Sequence, residues 1–183
     1  MLRARTFIHS LVVGTSLLLA SPALRADPPT RDVVVRELSG FETAPTVAAV
    51  RAWGTPGATL LMDIANDPSA LHHVRARAVH ALRAFNTSVP IHAFLRAFAA
   101  APNQGLFLLR AALDAMVEGF DDVPEVSRYL RDARVDVRDG AAWSLSQSTS
   151  AAARAALDAA LRTETDPTVR ATLQRALAPR TAR

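Results

Sequence analysis

"HHVRARAVHAL", His72 to Leu82, is the stretch whose reading decides how this chain folds. It sets three histidines and two arginines into an apolar helical pattern, which reads either as a metal or phosphate site or as a helix with polar decoration. On a helix His73 and His80 lie about 10 Å apart along the axis, at roughly 1.5 Å per residue, too far to hold one ion together. His72 points about 100° away from His73, and the stretch has no i, i+4 histidine pair of the kind that grips zinc. What remains is an apolar row, Val74, Ala78 and Leu82, with Arg75 beside it.

The same row returns three times. Val74, Arg75, Ala78 and Leu82 stand at the spacing also found in "LRAALDAMV" (Leu109, Arg110, Leu113, Val117), "VRDGAAWSL" (Val137, Arg138, Ala141, Leu145) and "VRATLQRAL" (Val169, Arg170, Leu173, Leu177). The four arginines are separated by 35, 28 and 32 residues, the length of one helix pair per unit. Turn-forming clusters punctuate the chain between these rows: "GTPG" at Gly54, "NDPS" at Asn66, "NTSVP" at Asn86, "PNQG" at Pro102, "FDDVP" at Phe120, "DARVD" at Asp132, "SQSTS" at Ser146 and "TETDP" at Thr163. Between them Ile91, Phe94, Leu95 and Phe98 keep the i, i+3, i+4, i+7 spacing of one apolar helix face.

Composition agrees. Half of the 183 residues are hydrophobic, which argues against a disordered chain, and only 5% are aromatic. Much of the apolar content is alanine, which suits closely packed helices better than a sheet that needs branched and aromatic residues. The expectation is an all-α protein of four antiparallel pairs: 56–66 with 70–85, 89–101 with 105–119, 122–132 with 135–147, and 150–164 with 167–178. A capping helix is expected near Pro45 to Trp53 and a further short one at Arg31 to Leu38.

These units resemble HEAT repeats. The resemblance rests on the recurrent "VR" opening each second helix, preceded by acids or Asp-Pro in "NDPSALHHVR", "RDARVDVR" and "TETDPTVR", and it covers about Ala44 to Leu177. It implies a short right-handed α-solenoid, armadillo-like in type, with first helices on the convex side and second helices on the concave side. It also implies that Arg75, Arg110, Arg138 and Arg170 are structural, each pairing with an acid of the preceding turn or the adjacent repeat; Asp132 stands at the matching distance, whereas Asp67 and Asp166 do not. The units are shorter than the ~40 to 47 residues usual for HEAT or armadillo repeats. The second, with Leu109 for valine and no Asp-Pro, fits least well.

The first segment has the layout of a secretory signal: Arg3 and Arg5, an apolar run from Leu11 to Ala20, then small residues before "DPP". The run is shorter than the roughly 20 residues that span a bilayer. Cleavage is expected after Ala26, with Ala23 as the alternative and retention as an anchor a further one. The expected divisions are a signal peptide at 1–26, a lead-in at 27–43, the repeat domain at 44–178 and a tail at 179–183. Removing Arg3, Arg5 and Arg25 leaves 18 arginines against 17 acids, a net charge of +1, so the pI near 11 reflects a chain with no lysine and not a basic patch. A nucleic-acid partner loses its main support. With no cysteine there is no disulfide framework.

Chemistry is sparse. The absence of cysteine and lysine excludes thiol and amine nucleophiles, and no G-x-S-x-G elbow, "GK[ST]" loop or dinucleotide fingerprint occurs. The carboxylates of "GFDDVPEV" read as helix-capping, with Asp122 as cap and Glu125 three positions on. Arg175, Arg180 and Arg183 suit the negative end of the last helix.

The expectation is therefore an exported, periplasmic or secreted, non-catalytic interaction module or scaffold. It is expected to be a monomer without cofactor or metal, not inserted in the membrane after cleavage, and to hold a protein partner on its second helices. His73, Arg77, His80 and Trp143 are the candidate partner contacts, on a face that also carries Asp114, Glu118, Asp139, Ser144, Gln147 and Gln174. The alternative is an enzyme or cofactor carrier, since compact HEAT-like repeats also occur in lyases that attach bilin pigments.

Overall fold

A computed structural model describes residues 28–40, 44–102 and 104–179. The expected signal segment with Ala23 and Ala26 lies outside the described residues, as do Arg180 and Arg183. Among the described residues the fold is all-α, without strands.

The described residues form ten helices in succession: α1 (Arg31–Ser39), α2 (Val47–Ala52), α3 (Gly54–Asn66), α4 (His72–Ala81), α5 (Val89–Ala100), α6 (Leu106–Phe120), α7 (Val123–Arg128), α8 (Val135–Ser146), α9 (Ala151–Thr163) and α10 (Pro167–Leu177). A 3-10 turn at Leu82–Phe85 prolongs α4, and another at Tyr129–Arg131 prolongs α7. None is long and apolar enough to cross a membrane.

Local chemistry fixes the starts. Thr30, Thr46, Ser88 and Ser150 each accept a backbone N–H three residues on, at the heads of α1, α2, α5 and α9. Asp166 caps α10 by accepting from Thr168 N and Val169 N, and Pro167 stands at the first helical position, where its missing N–H costs nothing. The helix holding His72 and His73 starts two residues later than its apolar pattern implies, with Leu71 as a cap that offers no side-chain acceptor.

Pairing follows the repeat. α3 packs on α4, α5 on α6, α7 with its 3-10 turn on α8, and α9 on α10. The second helices also pack on one another in order, α4 on α6, α6 on α8 and α8 on α10. The rows that defined the repeat are what these contacts bury: Val74, Ala78 and Leu82, Leu109 and Leu113, Val137, Ala141 and Leu145, and Val169 and Leu173. In place of a single capping helix, α1 and α2 together cover the front, α1 against α3 and α4 and α2 against α3 and the 3-10 turn of α4.

Two of the glycines mark close approaches between helices far apart in the chain. A Cβ on Gly119 of α6 would stand 2.8 Å from the Arg83 Cα in the 3-10 turn of α4. One on Gly140 of α8 would meet the Arg110 Cγ at 2.9 Å.

Candidate functional site: the surface of the second helices

Polar residues of α4, α6, α8 and α10, among them buried Ser144 and Thr172, meet across the helix junctions as rungs. At the front, Arg77 donates to the carbonyls of Leu38, at 2.8 Å, and Gly40, so it holds the end of α1. Between α4 and α6, Glu118 lies 3.2 Å from the Arg83 Nε and 3.4 Å from the His80 Nε2. Between α6 and α8, Ser144 donates to Asp114 at 2.5 Å, and between α8 and α10, Thr172 donates to Asp139 at 2.6 Å while accepting from Arg175 at 3.0 Å. The two carboxylate–hydroxyl rungs join residues 30 and 33 positions apart. Burial pushes the Asp114 carboxyl above the ordinary carboxylate range, against the Ser144 hydrogen bond that holds it down.

Two grooves flank this ladder. One, of about 290 Å³ between α4 and α6, is lined by Ala76, Arg77, His80, Phe107, Arg110 and Asp114. The other, of about 320 Å³ between α8 and α10, is lined by Trp143, Ser146, Gln147, Thr172 and Arg175. Each has an exposed aromatic wall: Phe107 is 54% exposed and Trp143 49%, although Ala142 and Ser144 on either side of Trp143 are buried. Alanines at the helix contacts keep the backbones close, so the large rings of this face stay outside the core.

The candidate contacts therefore divide. Trp143 is available at the surface, and His73 is half-buried at the head of α4. Arg77 and His80 line the first groove but are engaged within the fold. Sequence reasoning missed Phe107. Its signal was an aromatic ring out of register with Leu106, Leu109 and Leu113, the residues that carry the apolar face of α6.

The repeat arginines take three forms. Arg138 makes a two-pronged ion pair with Glu164, at 2.8 and 3.1 Å, and donates to the carbonyls of Asp132 and Ala133. The Glu164 carboxyl is held below its usual range, chiefly by these Arg138 hydrogen bonds. Arg75 and Arg170 instead donate to carbonyls ending the preceding helix, Ala65 for the first and Leu161 and Glu164 for the second, so the expected acid partner is replaced by unsatisfied backbone acceptors. Among the described residues Arg110 finds neither kind of partner, and it lays its side chain across Gly140. The Asp132 carboxylate pairs with Arg134, not with Arg138.

A further cluster replaces the expected capping box. Asp122 does precede α7, but its side chain makes no capping bond. The carboxylate, 4% exposed as a residue, turns to α5 and takes two hydrogen bonds from Arg96, at 2.6 and 2.8 Å, and one from His92 at 2.7 Å. The His92 ring stacks on Phe120 with centroids 4.6 Å apart. Burial raises the Asp122 carboxyl, but the Arg96 and His92 bonds outweigh it and hold the group below its ordinary value. Asp121, one residue before, adopts the left-handed conformation at φ 47° that ends α6, and its carboxylate accepts from Ser148. Among the described residues no three His, Asp or Glu side chains are grouped to hold a metal ion.

No protein-family model, no curated protein and no solved structure matches the chain.

Proposed function

We propose that the protein is a short right-handed solenoid of HEAT-like helix pairs that acts, without catalysis, as an exported module for binding another protein through its second helices. The observation that carries this reading is the unbroken order of contacts α4 to α6 to α8 to α10, which lays four helices side by side beneath one surface. That surface has two grooves with exposed aromatic walls, and aromatic side chains supply much of the binding energy where proteins meet. Its carboxylates Asp114 and Asp139 are taken up by hydroxyls and Glu118 by Arg83, and its arginines form no basic stripe, which favours a polypeptide over a nucleic acid.

The test is affinity capture from an envelope fraction, with the captured protein identified by mass spectrometry. A Phe107→Ala, Trp143→Ala double variant with unchanged helical circular dichroism is expected to lose a protein that the native chain retains. Retention by the variant would reject this surface. Reading the N-terminus of the exported protein tests the cleavage after Ala26, and recovery of an intact Met1 in a membrane fraction would favour an anchor.

A further inference from the structure

His80 occupies a position unlike that of any other histidine described. Its Nδ1 lies 2.8 Å from an Arg83 NH1, and the guanidinium is a donor at every accessible pH, so Nδ1 must accept. The neutral ring then carries its proton on Nε2. That atom is shut off from solvent and faces Glu118 at 3.4 Å, without the geometry of a hydrogen bond. Arg83 in turn reaches Glu118 through Nε at 3.2 Å, and its own backbone lies against Gly119, a close approach between α6 and the end of α4. Three side chains thus close a triangle over the junction of two repeats.

Other charges bear on the ring. From its own helix Arg77 lines the same groove, and from α6 come Arg110 and Asp114. On the other side, a cleft of about 130 Å³ under α1 and α2 is lined by His80, Arg83 and again Arg77, together with apolar Leu38, Val47 and Val50. Arg51 of α2 is directed at the Ala84 carbonyl, and α3 lines neither space.

We propose that His80 is a proton-operated latch between the first two repeat units: neutral, it holds the Arg83 guanidinium against α6, and protonated on Nδ1, it expels that guanidinium and takes Glu118 for itself. The added proton comes from solvent and makes Nδ1 a donor, so two donors would face each other at 2.8 Å and the contact must break. The Glu118 carboxylate then faces a full imidazolium on Nε2. The freed end of Arg83 has the cleft under α1 and α2 to enter, so acid alters the footing of the front helices. None of this depends on what the protein binds.

Burial disfavours the imidazolium most and Arg83 next, while Glu118 and Asp114 favour it; together they place the His80 pKa below the ordinary value. The folded state therefore binds fewer protons than the unfolded one. Stability from this group is fully present above about pH 6.5, the unfolded value, and falls away as the pH drops toward the lower folded one.

Histidine-selective ¹⁵N NMR of the full chain tests the latch. At pH 7.5 His80 is expected as the Nε2–H tautomer, with a midpoint below the ordinary histidine value and the Gly119 amide following that midpoint. Arg83→Gln is expected to raise that midpoint, because it removes the opposing cation, and Glu118→Gln to lower it. A resting Nδ1–H tautomer, or a midpoint that Arg83→Gln leaves in place, overturns the proposal. The tautomer is read on the native protein, so it decides the question even if a variant fails to fold.

Discussion

Asp122 carries a lesson at the scale of one residue. Its place two residues before a proline and three ahead of Glu125 has every local mark of a helix cap, and its backbone does begin α7. Its carboxylate is claimed by His92 and Arg96, 30 and 26 residues earlier in the chain. The two stand four apart on one face of α5, a spacing visible in the sequence, but nothing local says that this face meets the start of α7. Asp122→Asn is expected to destabilise the protein by about 2 kcal/mol, less than the roughly 3 to 5 kcal/mol of a fully buried ion pair because half-exposed Arg96 can return to water. Urea unfolding at pH 7 measures it. The carboxyl is held below its ordinary value, so its contribution is fully present above about pH 4, the unfolded value, and is lost as the pH falls through the lower folded one. The gap between native and variant protein should accordingly shrink toward pH 2.

At the scale of elements, what the sequence reveals and what it hides can be separated by cause. The starts of α5, α9 and α10 are legible because Ser88, Ser150 and Asp166 with Pro167 are local signals, and local signals act through neighbouring backbone N–H groups. Ser150→Ala should cost about 1 kcal/mol, read as a lowered urea midpoint. Contacts between helices are hidden, and the two close glycines show why. In sequence both are merely poor helix formers, each offering about 1 kcal/mol of stabilisation on replacement by alanine. In the structure Gly119 is opposed by the Arg83 backbone, which cannot yield without moving a helix, whereas Gly140 is opposed by the flexible side chain of Arg110. Gly119→Ala is therefore expected to be destabilising by about 1 to 3 kcal/mol, and Gly140→Ala to be near neutral or stabilising. Thermal unfolding of the two variants side by side decides it.

Across the whole molecule the four-fold row of apolar residues made the helix pairs legible, because every copy has to bury the same face. The rungs were not, since Asp114 with Ser144, and Asp139 with Thr172, depend on how one helix pair sits on the next. The proposed solenoid has a consequence of its own. If each pair contacts only its neighbours, a chain ending at Ser148 should lose α9 and α10 yet keep the helical signal of what remains, with a lower melting temperature. Collapse of all helicity in that truncation would instead indicate one indivisible bundle.

The arginines that end on carbonyls have a last implication, for behaviour in concentrated salt. Arg51, Arg75, Arg77, Arg154 and Arg170 tie one helix to another through neutral backbone oxygens, not through carboxylates. Mobile ions screen charge against charge, over only about 3 Å at 1 M, but have little to act on where a guanidinium meets a dipole at hydrogen-bond distance. Much of the cross-helix bracing should thus withstand brine, and the melting temperature in sodium chloride should move by no more than a few degrees between about 0.02 and 1 M.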